Sequence, residues 1–206
     1  MSFQIRPLRR KDYWPAIRAS ITGMHFDWYM DRPLQLLYGY YFMAMELNRT
    51  TQILVAEENG TFAGVLLARF DGEPPAHRSR GEQAYVRFAQ WIQKIFTEDS
   101  SVYYYETVDA LTKEYLGRAN PDGEILFLAA DPKRKGSGVG TRLLQALAER
   151  EPDKTVFLNT DSACTYQFYD RRGFRREEEK EIILKLPKRN LPITIMVYSQ
   201  KLRNLL

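Results

Sequence analysis

Cysteine and histidine are scarce in this chain: Cys164, His25 and His77 are the whole supply in 206 residues. An internal disulfide is therefore excluded, which suits a reducing cytoplasm. An all-His/Cys zinc centre lacks ligands, so no metal is expected. Long apolar runs are missing too, and none approaches the ~20 residues of a membrane-spanning helix. The opening Met1-Ser2-Phe3-Gln4-Ile5-Arg6 has no apolar core of a secretory signal. Internal repeats and low-complexity tracts are absent. So is a concentrated basic stripe: the net charge of +4 is scattered, with short clusters only at Lys133–Lys135 and Arg171–Arg176. Nucleic acid is accordingly a disfavoured partner, and a polyanionic small molecule suits the mild positive excess as well as an ordinary solvated surface does. These absences lead to the expectation of a cytoplasmic protein.

What is present is an ordinary globular composition, 44% apolar and 27% charged. That is enough for a single domain over 1–206 with a sizeable core. Phe3–Pro7 alternates as a short strand, and Lys11–Gly23 is read as a helix with Trp14, Ile17 and Ile21 on one face. A second helix is expected over Pro33–Leu47, with Pro33 in its first turn. Gln52–Glu57 and Thr61–Phe70 form a hairpin about Asn59-Gly60, a strong short turn signal. The stretch 71–122 changes character. It opens with Gly72, Pro74 and Pro75, then carries two helical patterns, Tyr85-Phe88-Ile92-Ile95 and Tyr104-Val108-Leu111-Tyr115. It reads as a helical insertion, too short for a core of its own. Glu124–Ala130 is a nearly continuous apolar strand, covered on both faces. A helix over Val139–Arg150, a strand over Thr155–Asn159 and a short helix over Cys164–Arg171 follow. Two long strands, Phe174–Leu186 and Ile193–Gln200, close the chain through a Pro187–Pro192 connection.

The chemistry concentrates in Asp131-Pro132-Lys133-Arg134-Lys135-Gly136-Ser137-Gly138-Val139-Gly140-Thr141. Three alternating glycines stand between a buried strand and an amphipathic helix. Glycine permits positive φ and close backbone approach, so successive N–H groups can converge on one anion. The helix adds its unpaired N–H groups and the positive end of its dipole. Together they make a pyrophosphate cradle. The Gly-Lys-Ser/Thr ending of a nucleoside-triphosphate loop is absent. The third glycine stands one position too early for a dinucleotide fingerprint, and the loop comes late in the chain. A glycine-rich turn without a ligand is the bland alternative.

With these residues in place, the segment Lys135-Gly136-Ser137-Gly138-Val139-Gly140 resembles the pyrophosphate motif of the GNAT superfamily of acetyl-CoA-dependent N-acetyltransferases. Lysine stands where that family usually has arginine or glutamine. Thr141 and Leu143-Leu144 continue the match. Downstream, Phe168-Tyr169-Asp170-Arg171-Arg172-Gly173-Phe174 resembles the family's Phe-Tyr-x-x-x-Gly-Phe segment, with Ser162 and Thr165 where many members have Asn and Ala. The resemblance implies an α/β (α+β) fold: a mixed central sheet of six to seven strands flanked by helices, with a two-helix insertion before the fourth strand. It implies direct acetyl transfer from acetyl-CoA to a primary amine of a small molecule or peptide. It further implies donor contacts from Leu128, Ala130, Lys135, Gly136, Ser137, Gly138, Val139, Gly140, Thr141 and Ser162.

Two catalytic groups follow from the same resemblance. Glu124, eleven residues before Lys135, stands where the histone-type branch of the family places a general base. An alkylamine near pKa ~10 is almost wholly protonated at neutral pH, and only its neutral form attacks a thioester. The alternative is a solvated glutamate at a strand edge. Tyr169 would protonate the departing thiolate, the alternative being an aromatic core residue beside Phe168. Cys164 reads as a small packing residue, and direct transfer needs no covalent intermediate. Tyr85, Tyr103, Tyr104, Tyr105, Tyr115, Phe88 and Trp91 supply packing for 71–122, and some of them could line an acceptor pocket. A non-catalytic CoA-binding regulator and a nucleic-acid-interacting domain stay open as alternatives, as does a homodimer.

Overall fold

The computed structural model describes residues 3–28, 30–96, 99–134, 136–186 and 189–206. Its strands are β1 (Phe3–Arg6), β2 (Gln52–Glu58), β3 (Thr61–Phe70), β4 (Gly123–Ala130), β5 (Thr155–Asp161), β6 (Arg175–Leu186) and β7 (Arg189–Lys201). Its helices are α1 (Tyr13–Gly23), α2 (Arg32–Arg49), α3 (Arg80–Phe96), α4 (Asp99–Leu116), α5 (Val139–Arg150) and the single turn α6 (Gln167–Asp170). The seven strands form one mixed sheet in the order β1-β2-β3-β4-β5-β7-β6. Every neighbouring pair is antiparallel except β4 and β5, which run parallel. Helices α3 and α4 lie between β3 and β4, the two-helix segment expected before the fourth strand.

The hairpin forms about Asn59 and Gly60, with φ of 50° and 76°, and Glu58 pairs with Thr61 across it. That is the left-handed pair which a two-residue turn between twisted strands demands. Helix α5 places Val139, Leu143, Leu144 and Leu147 on one buried stripe. The stripe packs on Leu54, Leu66, Ile125, Val156 and Leu158, each large apolar side chain stabilising the fold by about 1.5–3 kcal/mol on burial. The opposite face is shared. Helices α1 and α2 cover Val55, Val65, Leu67 and Phe127. Leu111 and Tyr115 of α4, with Tyr104 and Val108, cover Phe157, Ile182, Leu184 and Val197. The side chains of Ile92 and Ile95 lie outside the described residues.

Three details differ from the sequence reading. The short helix expected over Cys164–Arg171 is only the single turn Gln167–Asp170, because Asp161 Oδ1 takes the N–H groups of Ala163 and Cys164 into a turn. Trp14 is 59% exposed although Ile17 on the same helix is buried, because the α1 stripe turned to the sheet is narrower than its apolar pattern. Strand β7 begins at Arg189 and contains Pro192, which pairs with Ile183. Proline is tolerated there because β5 ends opposite Ile195, so no second neighbour needs the missing N–H. Pro187 lies outside the described residues.

Candidate active site

The parallel pair at the centre of the sheet is barely a pair. Strands β4 and β5 meet only at Gly123–Val156 and Glu124–Phe157, then part towards their C-terminal ends. A bulge in β4 accompanies the parting. Leu67 faces Phe127 and Ala68 faces Ile125, which leaves Leu126 unpaired and bends the strand away. The result is a wedge, closed at Glu124 and open where β4 ends at Ala130 and β5 at Asp161. Leu128 and Ala130, both half-buried, turn to the α5 side of the wedge.

One bank of the opening is the glycine loop. Asp131 anchors it, its N–H donating to Ala63 O (2.8 Å) and its Oδ1 accepting from Lys133 N–H (2.9 Å). Gly136 and Gly138 adopt φ of 85° and 79°, and Gly138 is the N-cap of α5. The first bond returning into the helix is Arg142 N–H to Gly138 O at 3.1 Å. The N–H groups of Val139, Gly140 and Thr141 thus have no acceptor among the described residues, the condition of an anion cradle at a helix start. The Ser137 hydroxyl donates to Arg134 O at 2.7 Å and tightens the turn. Arg134 is paired with Glu58, so the basic rim is partly neutralised. Lys135 lies outside the described residues.

The other bank is the segment from Ser162 to Gly173. Phe168 lies against Gly140, where an added Cβ would come within 3.0 Å of the ring. Glycine is required there by contact. The Phe168 ring stands edge-on to Tyr169, with centroids 5.2 Å apart, and Tyr169 packs on Phe174 and Tyr198. Burial raises the Tyr169 phenol above its ordinary value, and the nearby Cys164 adds to the shift. Tyr169 therefore holds its proton at neutral pH, and its hydroxyl has no partner among the described residues. Ser162 is exposed and accepts from Thr194 N–H at 2.9 Å. With Tyr166, Arg176, Lys180 and Met196 it borders a cavity of about 430 Å³.

A residue that sequence reasoning passed over joins the two banks. The Arg172 guanidinium sits 3.6 Å from the Phe168 ring centroid, donates to Phe168 O at 2.8 Å and reaches the Thr141 hydroxyl. Burial, with the adjacent Arg171 charge, lowers its pKa below the usual arginine value. Arg171, Arg172, Thr141 and Gln145 border a second cavity of about 320 Å³ beside the start of α5. The Arg171–Arg172 pair was visible in the sequence only as part of a basic cluster.

Glu124 stands at the closed end of the wedge and is buried. Both its oxygens are engaged, Oε1 with Arg49 and Oε2 with Arg69, each at 3.4 Å. Buried Glu46 completes a four-charge group through Arg49 at 2.8 Å, and desolvation raises its pKa. Burial and then Asp161 push the Cys164 thiol up to about 12, which disfavours the thiolate that a nucleophile needs. Neither histidine activates it. His77 pairs with Glu82 at 2.7 Å, and His25 Nε2 lies 3.1 Å from Ala163 O.

The aromatic residues of 71–122 divide by position. Tyr115 is core, and Tyr104 donates to Asp161 Oδ2 at 2.8 Å. Tyr85 donates to Leu37 O at 3.3 Å. The Tyr105 hydroxyl lies 3.3 Å from that of Tyr38 and ties α4 to α2 across the wedge. Phe88, Trp91 and Tyr103 are exposed. Among the described residues no group of three or more His, Cys, Asp or Glu could hold a metal ion, and no helix is long and apolar enough to cross a membrane.

Comparison with known proteins agrees with this architecture. The acetyltransferase (GNAT) family model matches residues 14–174. A polyamine N-acetyltransferase of Drosophila melanogaster superposes with a TM-score of 0.57 at 13% identity, covering 97% of this chain and 100% of that one. A protein of the yellow fever mosquito Aedes aegypti, assigned to the arylalkylamine N-acetyltransferases, gives 0.61 at 16% identity over 97% and 87%. An N-acetyltransferase from Staphylococcus aureus gives 0.52 at 14% over 98% and 99%. At these identities the likeness is one of fold. No curated protein sequence is recognisably similar to the chain.

Proposed function

The chain belongs to the acetyltransferase (GNAT) family, and from that premise we propose that it moves an acetyl group from acetyl-CoA directly to a primary amine. The observation that carries this reading is the wedge itself. The N–H groups of Val139, Gly140 and Thr141, without an acceptor among the described residues, stand on one bank, and a protonated phenol, Tyr169, stands on the other. In this reading the pyrophosphate lies on the loop from Lys135 to Thr141. The pantetheine arm enters between β4 and β5 past Leu128 and Ala130, with Ser162 at the far bank. Arg171 and Arg172 face the nucleotide end of the donor.

The chemistry requires a neutral amine, a nitrogen–carbon bond formed as the carbon–sulfur bond breaks, and a proton for the leaving thiolate. Tyr169 supplies that proton. Burial raises the Tyr169 phenol above its ordinary value, so the proton stays on the hydroxyl until charge develops on the departing sulfur and is delivered only in the transition state. Glu124 is the carboxylate within the wedge that could accept the amine proton. The acceptor is a small-molecule or peptide amine, because the face crossed by Tyr38 and Tyr105 offers aromatic walls with polar tips. Residues 1–206 work as a single N-acetyltransferase domain in this reading, in a cytoplasm where Cys164 stays reduced.

The test has two readouts. Acetyl-CoA should raise the melting temperature, as a ligand of the native state must. Free thiol should then appear with at least one member of a panel of polyamines, arylalkylamines, amino acids and peptides. A thermal shift without thiol release would identify a CoA-responsive regulator instead. Neither effect would leave a structural or nucleic-acid-interacting domain.

A further inference from the structure

The segment between α1 and α2 reaches across the open end of the wedge and docks where β5 ends. Cys164 Sγ lies 3.6 Å from Gly23 O, and His25 Nε2 lies 3.1 Å from Ala163 O. A carbonyl only accepts, so Nε2 carries the hydrogen, and Nδ1 has no partner among the described residues. The ring is fixed from its other side by Trp28, stacked at 4.0 Å and 17°. The Arg189 guanidinium lies over the Trp28 ring, 5.5 Å from its centroid. The backbone is also constrained, for His25 has φ of 53°. Left-handed conformations at residues other than glycine are uncommon and concentrate where a side chain must be aimed.

We propose that His25 is the group that takes the proton from the attacking amine, resting on the acetyl-transfer reading given above and replacing Glu124 as its base. The neighbours of His25 in sequence, Met24 and Phe26, pack on the α1–α2 face of the sheet, whereas Tyr169 belongs to the α5 face. The two meet about the Ala163–Cys164 turn, so nucleophile and leaving group are served from opposite sides of one carbonyl. Nδ1 of His25 accepts one proton from the bound ammonium, the freed nitrogen lone pair forms the nitrogen–carbon bond, and the second nitrogen proton leaves to water as the amide forms. The carbon–sulfur bond breaks with its electron pair going to sulfur, which takes the Tyr169 proton. Imidazolium and phenolate then exchange protons with solvent. Glu124 is less suited, because Arg49 and Arg69 already occupy its oxygens. Among the described residues, the charged and titratable groups linked to this docking are Asp27 on the same segment, Arg189 over the Trp28 ring, and Asp161, which accepts from the N–H groups of Ala163 and Cys164 and from Tyr104.

The test compares His25→Asn, which keeps a residue tolerant of positive φ, with Glu124→Gln. Thiol release from acetyl-CoA is measured with tryptamine and spermidine between neutral pH and the pKa of the amine. Losing the base makes the enzyme rely on amine that is already neutral, a fraction that rises about tenfold per pH unit. The deficit of His25→Asn should therefore shrink as pH rises, with the KM for acetyl-CoA unchanged. The deficit of Glu124→Gln should stay constant. A pH-independent deficit in His25→Asn, or a shrinking one in Glu124→Gln, overturns the proposal. A wild type that releases no thiol and is not stabilised by acetyl-CoA overturns the transferase reading beneath it. Nitrogen-15 spectra of the two histidines give a readout without turnover. His25 should show a protonated Nε2 and a bare Nδ1, and the opposite tautomer contradicts the assignment.

Discussion

Replacing Gly140 by alanine adds one methyl group at the point where the two banks of the wedge touch. The new Cβ would lie 3.0 Å from Phe168 Cζ and 3.1 Å from Cε2. Ordinary contact begins near 3.4 Å, so the ring must retreat by roughly half an ångström. It has little room to do so. Arg172 lies over the ring at 3.6 Å and Tyr169 abuts it at 5.2 Å. Overpacking of this kind costs ~1–3 kcal/mol, offset by about 1 kcal/mol because alanine is the better helix former. The net loss of ~1 kcal/mol corresponds to a melting temperature lower by about 2–4 °C in a chain of this size. The functional effect should exceed the thermal one. Displacing Phe168 moves Tyr169, and a misplacement of ~1 Å can cost about 100-fold in rate, so a shift half as large should cost roughly tenfold. Differential scanning fluorimetry and thiol release measure the two effects. A variant more stable than the wild type, with full turnover, would show that the Gly140–Phe168 contact is neither tight nor coupled to catalysis.

Tyr169→Phe removes only the proton donor and should lower turnover at least tenfold while acetyl-CoA stabilises the variant as it does the wild type; unchanged turnover removes Tyr169 from the mechanism. Cys164 should resist alkylation in the folded protein. Its thiol sits at about 12 against an ordinary 9.0, which leaves about a thousandfold less thiolate at pH 8, and rapid modification by iodoacetamide without unfolding would refute that burial. The β1–β2 edge should be acid-labile. Hydrogen bonds from Arg6, Lys11 and Gln4 lower Glu57 from 4.5 to about 2. Its contribution is complete above pH ~4.5 and is lost as pH falls towards ~2. In Arg6→Met the acid transition should move to higher pH, and an unmoved transition would show that these bonds carry no linkage.

Much of this was legible because it is local. Asn59-Gly60 marks its own turn, and the Val139–Leu143–Leu147 spacing marks the helix whose start is the cradle. The alternating glycines after an apolar strand, with Phe168-Tyr169 downstream, carry the resemblance to the family that the model match over residues 14–174 bears out. The site's shape was not legible, because it arises from pairs distant in sequence. The wedge exists because Leu126 is skipped in pairing with β3, and an apolar run such as Glu124–Ala130 carries no mark of a skipped register. Arg172 reads as one more basic residue until Phe168 and Thr141 are beside it. His25 reads as a lone histidine after a helix, since its partner carbonyl is 138 residues away. The place of Glu124 at the start of its strand is local, but its partners Arg49 and Arg69 come from other elements.

The most direct measurement concerns the N–H groups of Val139, Gly140 and Thr141. Amide spectra should be recorded while the protein is titrated with CoA and, separately, with pantetheine, which lacks the pyrophosphate. Binding of the donor's phosphates at the helix start predicts large downfield shifts at these three amides with CoA and none with pantetheine. Equal shifts with both ligands, or no shift with CoA, would contradict it.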